Sequence, residues 1–271
     1  MKHSLRYATA QGIGRRREQQ DRLFARPSLG IFGVFDGHRK DGALAAERAA
    51  KSIVADLTYR YDEEPGANIG HRLTHEFARA SAQMLRMEGG ATATVAAISP
   101  INPSNGMRTI SVNNVGNSPA FLIDPSNPNI KAGAQQLTKL HSTGNPKEIE
   151  RMAKLGVATF AGRDGTLYFE HGEWAGTMNS RALGDTDIKG IKSKPYCSWT
   201  DTSSEQLLLL ATDGVLSPST TKEAIEDTVN MYKDGKELGY IAYNLVTKYS
   251  KITGDNASAV IVHIPGPNSL I

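Results

Sequence analysis

With 271 residues, 39% of them hydrophobic and 22% charged, the chain has the length of one large domain or two small ones and the composition of an ordinary globular protein. A net charge of +3 is too small and too dispersed to argue for nucleic acid, and no run approaches the ~20 apolar residues of a membrane span. The single cysteine, Cys197, excludes an intrachain disulfide and a thiolate metal cluster; the N-terminal segment lacks the apolar core of a secretory signal, so a cytoplasmic, reducing compartment is the expectation.

Apolar runs bounded by turn residues predict strands at 23–25 and 31–35. Two amphipathic helices follow, marked by Ala46, Ala50, Ile53 and Leu57 and then by Ile69, Leu73, Phe77, Ala80 and Met84 at helical spacing. Strands are next expected at 92–98, 109–115 and 120–123, the first two joined by a turn over Asn102-Pro103-Ser104-Asn105-Gly106. A short helix is predicted over 146–155, with Asn145 as N-cap and Pro146 in the first turn. After a strand at 207–211 come helices at 221–232 and 238–249, and a last strand at 259–264. Strands arrive in groups and helices in consecutive pairs, where a doubly wound sheet would alternate them. The expectation is one α+β domain over 1–271, with paired helices on the faces of mainly antiparallel sheets.

Three of these strands meet an aspartate. Asp36 follows 31–35 and leads into Gly37-His38, Asp213 follows 207–212 and leads into Gly214, and Asp255 stands between Gly254 and Asn256 just ahead of 259–262. Carboxylates where buried strands meet turns can converge on one point, and a cluster of such oxygens suits hard divalent cations. The plain alternative is three separate turn-capping aspartates. His71 and His75, four apart, read as an exposed helix face, Arg15-Arg16-Arg17 as a solvated turn, and Gly89-Gly90-Ala91-Thr92 lacks the Lys and helix start of a phosphate loop.

Arg-Arg-Glu-Gln-Gln-Asp at 16–21, Val34-Phe35-Asp36-Gly37-His38, Asn113 to Ser118, Ser180 to Asp185, Thr212-Asp213-Gly214 and Gly254-Asp255-Asn256 stand in this order. In that order and spacing they resemble the metal-dependent protein phosphatase 2C family of serine/threonine phosphatases, from about Gly12 to Val262. Each motif alone is a common turn sequence; six in order are specific. The resemblance implies a four-layer sandwich of two antiparallel β-sheets flanked by pairs of α-helices. It also implies a centre of two Mn²⁺ or Mg²⁺ ions, with Asp36 bridging, the Gly37 carbonyl as a further ligand, Asp213 and Asp255 completing one shell, and Asp21 acting through bound water. Arg16 would grip the substrate phosphate and His38 would protonate the leaving alcohol. The bland reading of His38 is a turn histidine stabilising its loop. His141 falls at a position read as structural.

Several positions depart from the family pattern. Asn117 and Ser217 stand where members often carry acids, which predicts a weakened or absent third metal site. Gln20 replaces a glutamate, as in bacterial-type relatives, and Arg39-Lys40 replaces a pair of glycines, which predicts a cationic rim favouring acidic or phosphorylated partners. The segment 189–195, with three lysines, is expected to stand in for a substrate-contacting flap. The resulting expectation is a monomeric phosphatase for phosphorylated proteins. The alternatives are a catalytically silent family member that binds a partner through the same surface, and a phosphatase for small metabolites or phosphotyrosine.

Overall fold

Every residue of Ile31–Phe35, Gln206–Ala211 and Ala257–Ile264 is buried, as expected of strands covered on both faces. The computed structural model describes residues 5–63, 69–163, 165–171 and 175–266. The N-terminal part comprises β1 (Arg6–Gly12), β2 (Arg22–Arg26), β3 (Ile31–Phe35), β4 (Gly37–Arg39), α1 (Gly42–Glu63) and α2 (Ile69–Ala82). There follow β5 (Gly89–Ala91), β6 (Ala93–Ile98), β7 (Arg108–Val115), β8 (Ala120–Ile123), α3 (Ile130–Gly133), β9 (Ala134–Gln136) and α4 (Pro146–Lys154). Next come β10 (Thr159–Ala161), β11 (Leu167–His171), β12 (Ala175–Thr177), β13 (Leu183–Gly184) and β14 (Tyr196–Thr202). The chain closes with β15 (Gln206–Ala211), α5 (Thr221–Lys233), α6 (Leu238–Thr253) and β16 (Ala257–Ile264).

Two five-stranded sheets, ordered β1-β16-β15-β8-β9 and β14-β7-β6-β3-β2, face each other. Alternation along each strand decides what they bury. Phe32 and Val34 of β3, Leu208 and Leu210 of β15, and Val260 and Val262 of β16 point into the inter-sheet core. The intervening residues point outward: Ile31 and Phe35 meet Ile53, Leu73 and Phe77 of α1 and α2, while Leu207, Leu209 and Ile261 meet Ile225, Ile241 and Leu245 of α5 and α6. Each such side chain removed from water contributes ~1.5–3 kcal/mol. The result is the expected layering of helix pair, sheet, sheet and helix pair, and every pairing of named strands is antiparallel. Among the described residues no helix is long and apolar enough to cross a membrane.

Several strands were not expected. β1 and β14 lie at sheet edges, and their residues are exposed or half-buried apart from Thr202. Two small three-stranded sheets, β10-β11-β12 and β13-β5-β4, add to the sandwich. The predicted Asn102–Gly106 turn is present, closed by the Gly106 N–H donating to Asn102 O at 2.8 Å, with Gly106 at φ +70°. Asn145 caps α4, its side chain accepting from the Lys147 N–H. His75 is exposed on α2, and the side chain of its predicted companion His71 lies outside the described residues.

Candidate active site

The register brings three motif-bearing strand ends to one edge of the sandwich. Ala211 at the end of β15 pairs with Ala259 of β16, and β16 pairs back to β1 from Gly12↔Ala257. Asp213 and Asp255 therefore flank the same strand pair. β3 of the facing sheet delivers Asp36, whose backbone is pinned to Thr92: Asp36 O accepts from Thr92 N at 2.9 Å. Two glycines let these turns touch. A Cβ on Gly214 would lie 1.8 Å from Asn256 O, and one on Gly37 would lie 2.2 Å from Gly42 O, so each Asp-Gly pair is a packing requirement as well as a turn signal.

The turns surround a cleft of about 460 Å³ lined by Arg16, Asp36, Gly37, His38, Asn117, Asp213 and Asp255, with Arg17 and Gln20 at its wall. Asp21 lies beneath it, 1% exposed. Its Oδ2 accepts from Thr212 Oγ1 and Ser258 Oγ, both at 2.8 Å, while its buried Oδ1 has no partner. Asn117 Nδ2 donates to Asp213 Oδ2 at 2.8 Å, and the Asn117 amide oxygen is buried and unpartnered. Arg16 forks onto Asp255, Nε to Oδ1 and Nη2 to Oδ2 at 2.7 Å each. Asn256, which the motif reading left without a role, braces the edge: its Oδ1 accepts from Gln20 N at 2.8 Å and its Nδ2 donates to Ile13 O at 3.0 Å.

Crowding and burial show in the ionisation of these acids. Burial pushes Asp36 well above the usual carboxylate range, and the charges of Asp213, Asp21 and Asp255 push it further. Burial likewise lifts Asp213 to about 6, with Asp255 adding to the rise and the Asn117 hydrogen bond opposing it. Asp21 is lifted to about 7 by burial, against the hydrogen bonds from Ser258 and Thr212. Oxygen donors of this kind, short of cationic partners and including an orphaned carboxylate oxygen, fit a hard divalent cation. They do not form a finished cage: among the described residues no group of three or more His, Cys, Asp or Glu stands ready to hold a metal. The reason is visible in the partners, since Asp255 is turned to Arg16, Asp213 to Asn117 and Asp21 to Thr212 and Ser258.

His38 is held in a way the sequence did not suggest. Its Nε2 lies 2.5 Å from Asp185 Oδ2, and its Nδ1 is buried without a partner. Asp185 is fully buried, and its Oδ1 accepts from Arg39 Nη1 at 2.9 Å. Burial opposes ionisation of Asp185, but His38 and Arg39 outweigh it and hold its pKa below the usual range. Arg39 also forks onto Asp187, at 2.9 and 2.7 Å.

Other expectations fall elsewhere. Arg39 and Lys40 do not make a free cationic rim, because Arg39 is taken by Asp185 and Asp187 and Lys40 pairs with Glu88 at 3.0 Å. Residues 189–195 do not line the cleft; they pair with the 181–182 segment, Lys192 O accepting from Ala182 N and Lys194 O from Arg181 Nη1. Gly176, Thr177, Met178 and Asn179, at the end of the small β10-β11-β12 sheet, line the cleft in their place. Ser217 is part of the start of α5, bonding Ser219 and Thr220 through its hydroxyl at 2.9 Å. His141 is buried, with burial lowering its pKa to about 3, and links the Gly116 and Ser180 backbones.

Comparison with known proteins bears on the fold and the family. A probable protein phosphatase of Dictyostelium discoideum is 28% identical over 88% of this chain and 26% of its own length. The Bos taurus integrin-linked kinase-associated serine/threonine phosphatase 2C is 27% identical over 77% of this chain and 55% of its own length. The chain thus spans about a quarter to a half of these relatives. Among solved structures, a Toxoplasma gondii phosphatase superposes with a TM-score of 0.75 at 20% identity, covering 98% of this chain and 94% of that one. The catalytic domain of the phosphatase PstP, solved with two manganese ions, superposes at 0.63 with 20% identity, covering 96% and 98% of the two chains. Those two likenesses establish the fold; the family follows from a match over residues 7–255 to the model described as Protein phosphatase 2C, and the chain belongs to that family.

Proposed function

We propose that the chain is a metal-dependent phosphoprotein phosphatase that cleaves phosphoserine and phosphothreonine, one domain working as a monomer. The observation that carries this reading is the cleft itself: buried carboxylates with raised pKa values beside an arginine fork. Asp36, the Gly37 carbonyl, Asp213 and Asp255 would hold two Mn²⁺ or Mg²⁺ ions, with Asp21 acting through water from beneath. The bound pair would supply Lewis-acid activation of an attacking water. A third ion finds little support, because the Asn117 amide already donates to Asp213 and Ser217 belongs to the start of α5.

Arg16 carries the substrate role. Its guanidinium is preset for two parallel bonds to a pair of oxygens, and a phosphate offers the same geometry as Asp255. Exchange of Arg16 from Asp255 to phosphate would free that carboxylate as the substrate arrives. Asp36 and Asp213 stay fixed by their strand ends throughout. His38, which lines the cleft and is held by Asp185, would protonate the leaving oxygen. The test is hydrolysis of p-nitrophenyl phosphate and a phosphopeptide panel in Mn²⁺: wild type turns over, Asp36→Ala is down by at least ~10³-fold on the scale of lost electrostatic catalysis, and no turnover by wild type ends the reading. A preference for small metabolites or phosphotyrosine would appear in the same panel.

The Arg16–Asp255 fork favours one second reading, a silent family member whose cleft is closed by that pair. Calorimetry separates the two: the silent reading requires no Mn²⁺ binding at millimolar metal.

A further inference from the structure

We propose that the groove between β2 and α1 is a docking site for an extended acidic segment of a phosphoprotein substrate, which adds to the free edge of β2 with the pattern acid-x-apolar-x-acid. The substrate assignment rests on the phosphatase reading; the binding of the segment does not. β2 ends its five-stranded sheet: it pairs with β3, and among the described residues no strand pairs with its other edge. Such an edge presents backbone N–H and C=O groups to an incoming strand. Beside it lies a groove of about 1020 Å³, lined by β2 and by positions 47, 50, 51, 54 and 55 of α1. Those positions follow one helix face.

Alternation along β2 sets what an added strand would meet. Phe24 joins the cluster under α1 and α2, whereas Leu23 and Ala25 pack against the inter-sheet core. Arg22 and Arg26 therefore share the helix-side face with Phe24, one cation on either side of the ring. Across the groove α1 offers half-buried Ala50 and Val54 and the Lys51 ammonium. Three cations face one carboxylate, Glu47, which is shared between Lys51 at 2.5 Å and Arg22 at 3.7 Å. Arg26 has no carboxylate partner among the described residues, and its Nη1 donates to Ala25 O at 3.3 Å. Residues of an added strand opposite Arg22, Phe24 and Arg26 would lie ~5 Å away. Acids at the outer two positions and an apolar residue at the centre match that face. A second copy of the chain is the poorer occupant, because two β2 edges would set arginines against arginines.

One end of the groove adjoins the cleft. Arg22 directly follows Asp21, and its Nη1 donates to the Gln19 and Asp21 carbonyls at 2.9 and 2.8 Å. Its cross-strand partner is Phe35, the residue before Asp36. Five residues of extended chain span ~17 Å, so a segment bound along β2 from Arg26 leads its neighbouring residues to the Arg22 end, beside the cleft. Tethering of this kind raises the local concentration of the phosphorylated side chain. Because the docked segment lies outside the reacting atoms, the gain falls on KM and not on kcat.

The probe is an unphosphorylated, fluorescein-labelled peptide containing Asp-Thr-Val-Thr-Asp, titrated with the protein in EDTA and read by fluorescence anisotropy. Wild type should bind it about tenfold tighter than the same peptide with both acids changed to lysine, or with the valine changed to serine. Arg26→Glu should weaken binding about fivefold, and one of the two single-lysine peptides should recover most of that loss. Glu47→Gln should tighten binding about threefold, because Glu47 competes with the peptide for Lys51 and Arg22. Wild type binding no peptide, or all of them alike, would overturn the proposal. So would unchanged binding in Arg26→Glu, or unchanged or weaker binding in Glu47→Gln. A wild-type dimer in sedimentation that Arg26→Glu dissolves would give the groove to a second copy and overturn it too. In Mn²⁺, a phosphoserine peptide carrying the acidic segment should show a several-fold lower KM than its lysine counterpart at similar kcat, and Arg26→Glu should leave p-nitrophenyl phosphate hydrolysis unchanged. Equal KM values would overturn the substrate assignment. Binding without hydrolysis of any substrate would end the phosphatase reading and leave the groove's affinity for the segment standing; hydrolysis without binding would end the groove alone.

Discussion

The cleft and the Glu148 pocket bury negative charge in opposite ways. Glu148 is 5% exposed, and its carboxylate accepts from Arg181 Nη2 at 2.6 Å, Ser180 Oγ at 2.7 Å and Arg151 Nε at 2.9 Å. Burial pushes its pKa up, but these partners outweigh burial and bring it down to about 2. Asp36, Asp213 and Asp21 are buried among one another, and their pKa values rise. A buried acid saturated with partners is architecture; acids left short of partners are a place for a cation. The two regions are separated by Ser180, whose hydroxyl serves Glu148 while Asn179 beside it lines the cleft.

The comparison can be broken most sharply at Glu148. With a folded pKa near 2 against an ordinary 4.5, its ionised form contributes about 3 kcal/mol, fully present above about pH 4.5 and lost as pH falls toward 2. Glu148→Gln should remove roughly that amount in urea unfolding at pH 7 and flatten the acid limb of stability. Because the pocket is structural, Mn²⁺ affinity should hold at temperatures where the variant stays folded. A variant as stable as wild type would mean that Glu148 is not saturated after all.

At the cleft mouth the effect is intermediate. Arg16→Ala should lower kcat/KM for a phosphopeptide by ~30-fold, about 2 kcal/mol for a charge-assisted bidentate contact. Arg16→Lys should recover little, because an ammonium lacks the fork. Loss of Mn²⁺ affinity in place of kcat/KM would show that Arg16 serves Asp255 and not the phosphate.

The smallest effect has the opposite sign. Asp36 carries a raised pKa, so its ionised form costs stability, and the cost grows as pH rises from its unfolded toward its folded value. In EDTA at pH 8, Asp36→Asn should therefore melt a few degrees higher than wild type, about 1 kcal/mol. The gain should shrink toward pH 4, and Mn²⁺ should stabilise wild type more than the variant. A drop in melting temperature would place Asp36 with Glu148 as an architectural acid.

The parts of the molecule that were legible in the sequence are those written in local pattern. Ile31–Phe35 and Gln206–Ala211 announce themselves as apolar runs ending near an aspartate, and the helix pairs by their 3.6-residue spacing. β1 and β14 escaped because edge strands keep mixed, half-exposed sequences, and β10 and β12 because three-residue strands carry no periodicity. The cleft residues were legible as types but not as pairings. Arg16 meets Asp255 across 239 positions and His38 meets Asp185 across 147, and no local pattern encodes such a contact. The cationic rim failed for the same reason, since Asp187 and Glu88 neutralise it from distant segments.

Gly214 has a wider consequence. Its turn rests against Asn256 so closely that a Cβ would sit 1.8 Å from that residue's carbonyl oxygen. Asn256 in turn holds Gln20 and Ile13, so three segments far apart in the chain share one steric slot. A methyl group added at Gly214 would be felt at the Arg16 loop without touching it. Substitutions around this edge should accordingly be strongly epistatic: a change tolerated in one loop becomes harmful or harmless depending on the residue in another, and the three can drift only together.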